Sequence, residues 1–461
     1  MELQGYPQLT IVLVLGLGIP VAFVRPYAAF LLAAFLLTAG HVTLFNQTRL
    51  AGLGPYMNLS DACVLVAVAA FFFDRVAAKQ PVRVPQIVPL VLLAATLGAV
   101  QSFWKLGWTY ETMRATRWAL DFPIAYFLGA NLVTSADRAR KLIWILLAGA
   151  LLAAVQHHLY VVHIWRSHSL NMATYEGLRT IGYWGGCMAP GFLISVLAWR
   201  APRGVWKKAF WAVAGLLFIG TIFMNQTRSL WLATAAGGLC VMIVFGRGNR
   251  LRSVARVSLL GAVVVFGGIW LCGRVMPGLN VSEVLVGRLS KLFARDTQHL
   301  HLGTRERAFA IEMDQYLHGT LVFGRGLSFF QTIPNPEAAD RRIAFGHLGY
   351  VTYLSQLGLI GLVVYGLLLP LWTFLDALRL WRYQSDPALR YMGLLAGASI
   401  LCVSIMFLMS SQFLAVGYFA PAVLYGGVIA LARERRRMEF VAGPIQDDER
   451  DRLLCGVRAL A

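Results

Sequence analysis

Apolar residues come in runs of roughly fifteen to two dozen, and polar residues fill the short gaps between them. The runs cover 9–24, 27–45, 60–74, 86–102, 118–134, 142–163, 181–199, 209–224, 229–246, 257–275, 347–370, 391–410 and 412–432. At about 1.5 Å of rise per residue, a helix built on such a run reaches across most or all of the roughly 30 Å of a bilayer's hydrocarbon. Backbone in that layer must satisfy its own hydrogen bonds, and no alternating barrel pattern is visible, so the runs predict helices. The expected fold is an all-α polytopic membrane protein with 12–13 transmembrane helices. The first run ends at Arg25-Pro26 without a small-residue cleavage site and is expected to remain a span.

Composition agrees: 58% of the 461 residues are hydrophobic and only 14% charged, against about 25% charged in soluble domains. The net charge of +19 could point to nucleic acid, but its placement points elsewhere. Basic residues cluster between runs, at Arg75/Lys79/Arg83, Arg138/Arg140/Lys141, Arg200/Arg203/Lys207/Lys208, Arg247/Arg250/Arg252/Arg256, Arg379/Arg382/Arg390 and Arg433/Arg435/Arg436/Arg437. All six clusters fall on one face, which the positive-inside rule makes cytoplasmic, so no nucleic-acid partner is expected and membrane lipids are. Cys63, Cys187, Cys240, Cys272, Cys402 and Cys455 show neither metal-ligand spacing nor a disulfide framework.

One gap is long. Residues 276–346 separate an N-terminal bundle (1–275) from C-terminal spans (347–432), and a tail (433–461) follows. Loops of that length inside a compact domain are functional or disordered, and the mix of charges and aromatics favours function. Within it, Thr304–Leu317 carries apolar residues at Ala308, Phe309, Ile311 and Met313, the pattern of a short amphipathic helix near the membrane surface.

Candidate chemistry gathers on the face opposite the basic clusters. Arg228, in Thr227-Arg228-Ser229, occupies a tight turn on the side where the charge rule disfavours cations, and so asks for an anionic partner. Arg305 and Arg307 flank Glu306, and Arg305 in a first helical turn adds to the dipole's positive field. Phe323-Gly324-Arg325-Gly326 is a glycine-flexed turn. His347 stands at the expected re-entry into the membrane, with Tyr350 just after it, and histidine titrates where a general base is useful. His157, His158 and His163 are rivals. Asp121, four residues after Arg117, is explained as its helix partner.

The order of these segments resembles the O-antigen ligase and polymerase superfamily. The residues that carry it are Asn58-Leu59-Ser60-Asp61, Thr227-Arg228-Ser229, Arg305 with an aromatic four residues on, Phe323-Gly324-x-Gly326, and Gly346-His347 followed by Gln356-Leu357-Gly358-Leu359-Ile360-Gly361. Relatives often have Asn after the histidine, where this chain has Leu348. The resemblance implies a GT-C-like fold with one large periplasmic loop containing short helices, and inverting glycosyl transfer in the bacterial inner membrane. It implies a donor glycan on undecaprenyl pyrophosphate and a lipid A-core acceptor, with no cofactor and no metal. Arg228 and Arg305 would bind the pyrophosphate and His347 would act as base. Arg307, Arg325 and Tyr350 are further candidates for substrate contact.

Three rivals stand beside this expectation. An O-antigen polymerase would use a similar donor with another lipid-linked repeat as acceptor; the single dominant outer loop favours a ligase. A secondary transporter of an anionic lipid or sugar would show inverted repeats and interrupted helices, and neither is visible in the sequence. A cell-shape peptidoglycan polymerase would need a compelling outer-loop carboxylate. The topology has a direct test: a cysteine placed at residue 337 should react with an impermeant thiol reagent in cells with an intact inner membrane. Labelling only after that membrane is breached would reverse the orientation.

Overall fold

The structure, a computed structural model, describes residues 25–39, 59–167, 185–200, 204–224, 228–240, 321–327, 332–335, 338–344, 349–383 and 386–407, with isolated positions among 243–317 and 426–431. The apolar runs in these segments are helices: α1 (Pro26–Ala39), α2 (Leu59–Ala77), α3 (Ile87–Leu106), α4 (Tyr110–Leu132), α5 (Ala136–Ser167), α6 (Gly185–Arg200), α7 (Val205–Met224) and α8 (Arg228–Cys240). After the long loop come α9 (Gly349–Gly361), a π-helical stretch (Leu362–Leu368), α10 (Leu369–Tyr383) and α11 (Pro387–Phe407). Ile87–Lys105, Ala136–Leu159, Val205–Phe223, Gly349–Arg382 and Leu389–Met406 are each long and apolar enough to cross a membrane. The protein is a helical polytopic membrane protein. The expected span 9–24, and most of 257–275 and 412–432, lie outside the described residues.

Two helices start well before their apolar runs, α4 by eight residues and α5 by six. α4 starts at Tyr110 because the Thr109 side chain accepts the Thr112 N–H at 3.2 Å and caps the polar first turn. α5 starts at Ala136, where Asp137 pairs with Lys141 at 2.9 Å and Arg140 at 3.7 Å. The long loop departs from the expectation of helices alone. Ala310, Met313, Asp314, Tyr316 and Leu317 are helical, but Thr332–Asn335 (β1) and Ala338–Ala344 (β2) pair as an antiparallel hairpin.

Basic turns collect at one end of the bundle. Asn131, near the end of α4, accepts the Arg83 N–H at 2.9 Å and donates to the carbonyls of Arg83 and Phe127 at 2.7 and 3.0 Å. Arg75 donates to the Asn131 carbonyl, and Arg138 to the Leu132 carbonyl at 2.9 Å, satisfying helix-end acceptors. Tyr27 Oη donates to the Arg138 carbonyl, and that guanidinium lies 5.1 Å from the Tyr27 ring centroid. Gly427 touches both Val133 and Met392, which brings the α10–α11 turn to the same end. There Asp376, fully buried, holds Arg379 at 2.7 Å, and Arg390 lies over Trp381.

Between the ends, small residues let helices approach. Gly191 faces the Phe218 ring, Gly149 faces Thr38, and Gly237 faces Cys402. Thr38, Ser195, Thr221 and Thr234 donate to carbonyls four residues back, so these hydroxyls satisfy themselves within their own helices.

Replacing Asn131 with alanine removes the hinge of the basic end. It leaves the Arg83 N–H and carbonyl without their side-chain partner, at a cost of about 1 kcal/mol or more. The variant should unfold at a clearly lower temperature in detergent, while Lys79→Ala at the exposed neighbouring turn should not. Equal melting of the two would remove Asn131 from this role.

Candidate functional site

The segment of greatest interest is Gly349–Tyr383, whose first two-thirds the sequence presents as part of one apolar run, 347–370. The backbone breaks at Gly358 (φ 66°, ψ −160°), and the chain doubles back. Residues 12 apart on a straight helix lie about 18 Å apart, yet the Tyr353 and Tyr365 rings stack with centroids at 5.5 Å. Farther from the bend, a Cβ on Gly366 would lie 3.1 Å from the Tyr350 ring. Residues 349–357 are therefore a half-helix folded against the start of the following one, and the stretch from Leu359 to Arg382 is the crossing. This corrects the expectation of an uninterrupted span over 347–370. Interrupted helices do occur in this chain.

A reversal in an apolar bundle strands the carbonyls ending one helix and the N–H groups opening the next. The turn segment 321–327 takes up both sets. Arg325 N–H donates to the Ser355 carbonyl and Gly326 N–H to the Gln356 carbonyl, both at 2.8 Å. In return, Leu359 and Ile360 N–H donate to the carbonyls of Leu321 and Val322 at 3.0 and 3.3 Å. The third wall is α3. Leu327 N–H donates to the Gly98 carbonyl at 3.3 Å, and Gln101, with its amide turned to donate, reaches the carbonyls of Phe323 and Gly324 at 3.0 and 3.1 Å.

Glycine makes the approach feasible. A Cβ on Gly358 would sit 2.3 Å from the Val322 carbonyl oxygen, and one on Gly324 (φ 72°) would sit 2.5 Å from the Gln356 backbone. The motifs Phe323-Gly324-Arg325-Gly326 and Gln356-Leu357-Gly358-Leu359-Ile360-Gly361, separated in sequence by the β-hairpin, are thus one structural unit.

Gly98, Gln101, Ser102 and Lys105 follow one another at helical spacing of three and four, and so share the face of α3 turned to this unit. The first three touch segment 321–327 or its neighbours, and Lys105 completes the stripe at the end away from the basic turns. Its ammonium and the part-buried Arg325 guanidinium are close enough to repel. Sequence reasoning missed Lys105; its signal was a lysine at the end of a span away from the basic clusters.

Tyr350 lies half-buried at the other end of the half-helix, its hydroxyl donating to the Ser404 carbonyl of α11 at 3.4 Å. Two residues earlier on α11, Cys402 Sγ–H donates to the Ala233 carbonyl of α8 at 3.4 Å. Ala233 is five residues into the helix that Arg228 opens. The starts of α8 and α9 therefore both lean on the outer third of α11, within roughly two helical turns of each other.

The side chain of Arg228, and Arg305, Arg307 and His347 in full, lie outside the described residues. Of the rival histidines, His157 is 1% exposed, and neither ring nitrogen finds a partner among the described residues. His158 Nδ1 meets the Ala154 carbonyl at 2.8 Å. Both are packed between helices, and the His163 side chain lies outside the described residues. No family model and no curated protein matches this chain.

Gly107 offers a control for the junction. It has nearly the same backbone conformation as Gly358 (φ 68°, ψ −168°), but nothing lies within 4 Å of its Cβ position. Gly107→Ala carries only the backbone strain, about 1–3 kcal/mol. Gly358→Ala adds a collision with backbone and should fail to give folded, monodisperse protein. Comparable yield and melting of the two would mean that close approach at Gly358 does not hold the unit together.

Proposed function

We propose that the chain is a glycosyltransferase of the O-antigen ligase type in the bacterial inner membrane. It would move a glycan from undecaprenyl pyrophosphate to a sugar hydroxyl of lipid A-core at the periplasmic face. The observation that supports this reading most is the glycine junction. It joins two of the sequence segments that carry the resemblance, and it does so at the end opposite the basic turns.

The chemistry suits the residues. The acceptor oxygen forms a bond to the anomeric carbon as the bond from that carbon to the pyrophosphate oxygen breaks. The electron pair leaves with the pyrophosphate, and the acceptor proton goes to His347 as base. Guanidiniums stabilise such a leaving group well, because they bind phosphate through two parallel donors and never lose their charge. Arg228 and Arg305 take that role, while Arg325 and Lys105 add positive field at the rim. The starts of α8 and α9, both against α11, add the N-terminal ends of two helix dipoles.

The broken helix at Gly358 is a feature that a transporter would also have. Its end groups, however, are taken up by segment 321–327, whereas a transporter leaves such groups to hold its ion. That favours the transferase reading.

Purified protein with a lipid-linked donor and a core acceptor tests the proposal. Arg228→Ala and Arg305→Ala should each lose about 2–4 kcal/mol of transition-state stabilisation, roughly thirty- to a thousandfold in rate, with Arg307→Ala milder. Arg228→Lys should rescue poorly. Wild-type rate should rise with pH through a limb near pKa 6–7, as neutral imidazole appears, and a folded His347→Gln variant should lack that limb. Long glycan on the acceptor identifies a ligase, and lengthened glycan still on the lipid carrier a polymerase. Donor crossing the membrane without transfer would overturn the enzyme reading.

A further inference from the structure

On the outer surface of the basic end, α5 and α7 begin side by side. Trp144 and Trp211 meet with ring centroids 5.6 Å apart, and Phe210 packs edge-on to Trp211 at 5.2 Å. Trp211 is buried in the seam, but its neighbours are not: Val205 is 81% exposed, Trp206 87%, Trp144 48% and Phe210 46%. Cations surround these apolar groups. Lys207 and Lys208 are exposed, and Arg140 and Lys141 keep 55% and 60% of their side-chain surface open. Among the described residues of these two helix starts the one carboxylate is Asp137, already shared between Arg140 and Lys141. Of the five cations there, Arg138 is turned to the Leu132 carbonyl and the Tyr27 ring, and the other four less that carboxylate leave a charge of +3. Toward the far end, Val155 and Leu159 on α5 and Val213 and Leu216 on α7 are exposed, so both helices continue as outward apolar stripes.

We propose that this seam binds an anionic phospholipid with two phosphates, of the diphosphatidylglycerol class. Indole rings settle at headgroup depth, with the ring against acyl chain and the N–H toward water. Two pairs of cations, one on each helix start, match two phosphates on one headgroup, and the excess of +3 exceeds what a single phosphate neutralises. Basic pockets between spans at a cytoplasmic face attract this lipid class by that mechanism. Four acyl chains cover two parallel apolar stripes, where a two-chain lipid covers one. The site stands independently of the proposed transfer reaction, which uses the other end of the bundle.

Native mass spectrometry of the full chain in mild detergent tests it, with diphosphatidylglycerol, phosphatidylglycerol and phosphatidylethanolamine as probes. Diphosphatidylglycerol should stay bound under activation that strips the other two. Lys207→Gln/Lys208→Gln and Arg140→Gln/Lys141→Gln should each lower its retention by about tenfold or more, and Trp206→Ala should also lower it. Lys79→Gln, which removes an exposed cation of the same end, should leave retention unchanged. Retention of phosphatidylglycerol equal to that of diphosphatidylglycerol would overturn the proposal. So would double variants that behave like Lys79→Gln.

Discussion

A polypeptide cannot reverse direction inside an apolar bundle unless something satisfies the backbone groups freed at the turn. In this protein that constraint is met by a second piece of chain. Segment 321–327 lies across the turn at Gly358, giving N–H groups to one helix end and carbonyls to the next. The arrangement needs backbones in contact, which is why glycines stand at 324 and 358, while Gly98 on a third segment makes room for the Leu327 and Leu357 side chains. The seating of the long loop and the place of Arg325 beside Lys105 follow from this reciprocal bonding.

The two ends of the bundle are built from different materials. At the basic end, side chains hold helix termini: Asn131, Arg75, Arg138 and Tyr27 join α1, α2, α4 and α5 to one another and to the turn at Arg83. At the far end, backbone holds backbone.

Much of the helical order was legible in the sequence because length and hydropathy alone set it: the expected 60–74, 86–102 and 209–224 became Leu59–Ala77, Ile87–Leu106 and Val205–Met224. The reversal at Gly358 was not, since a half-helix folded on its neighbour is as apolar as a continuous span. Hydropathy reports burial, not direction. The hint lay in Gly358 and Gly361, which resemblance had marked but which local pattern reads as helix. Lys105 was missed because its meaning depends on Gly98, Gln101 and Ser102 sharing its face with a segment more than two hundred residues away. The β-hairpin was missed because Thr332–Ala344 carries proline and charge where strand patterns are read from alternation.

The doubled-back half-helix also bears on how membrane topology is counted. An element that turns at Gly358 and packs against its own continuation contributes depth without contributing a crossing. Parity is untouched: from segment 321–327 to the Arg379–Arg390 turn the chain still passes once between the two ends. Charge bias and terminal reporter fusions respond only to parity. Two chains, one with this half-helix and one with a plain span, would give such methods identical answers while presenting different interiors to a substrate.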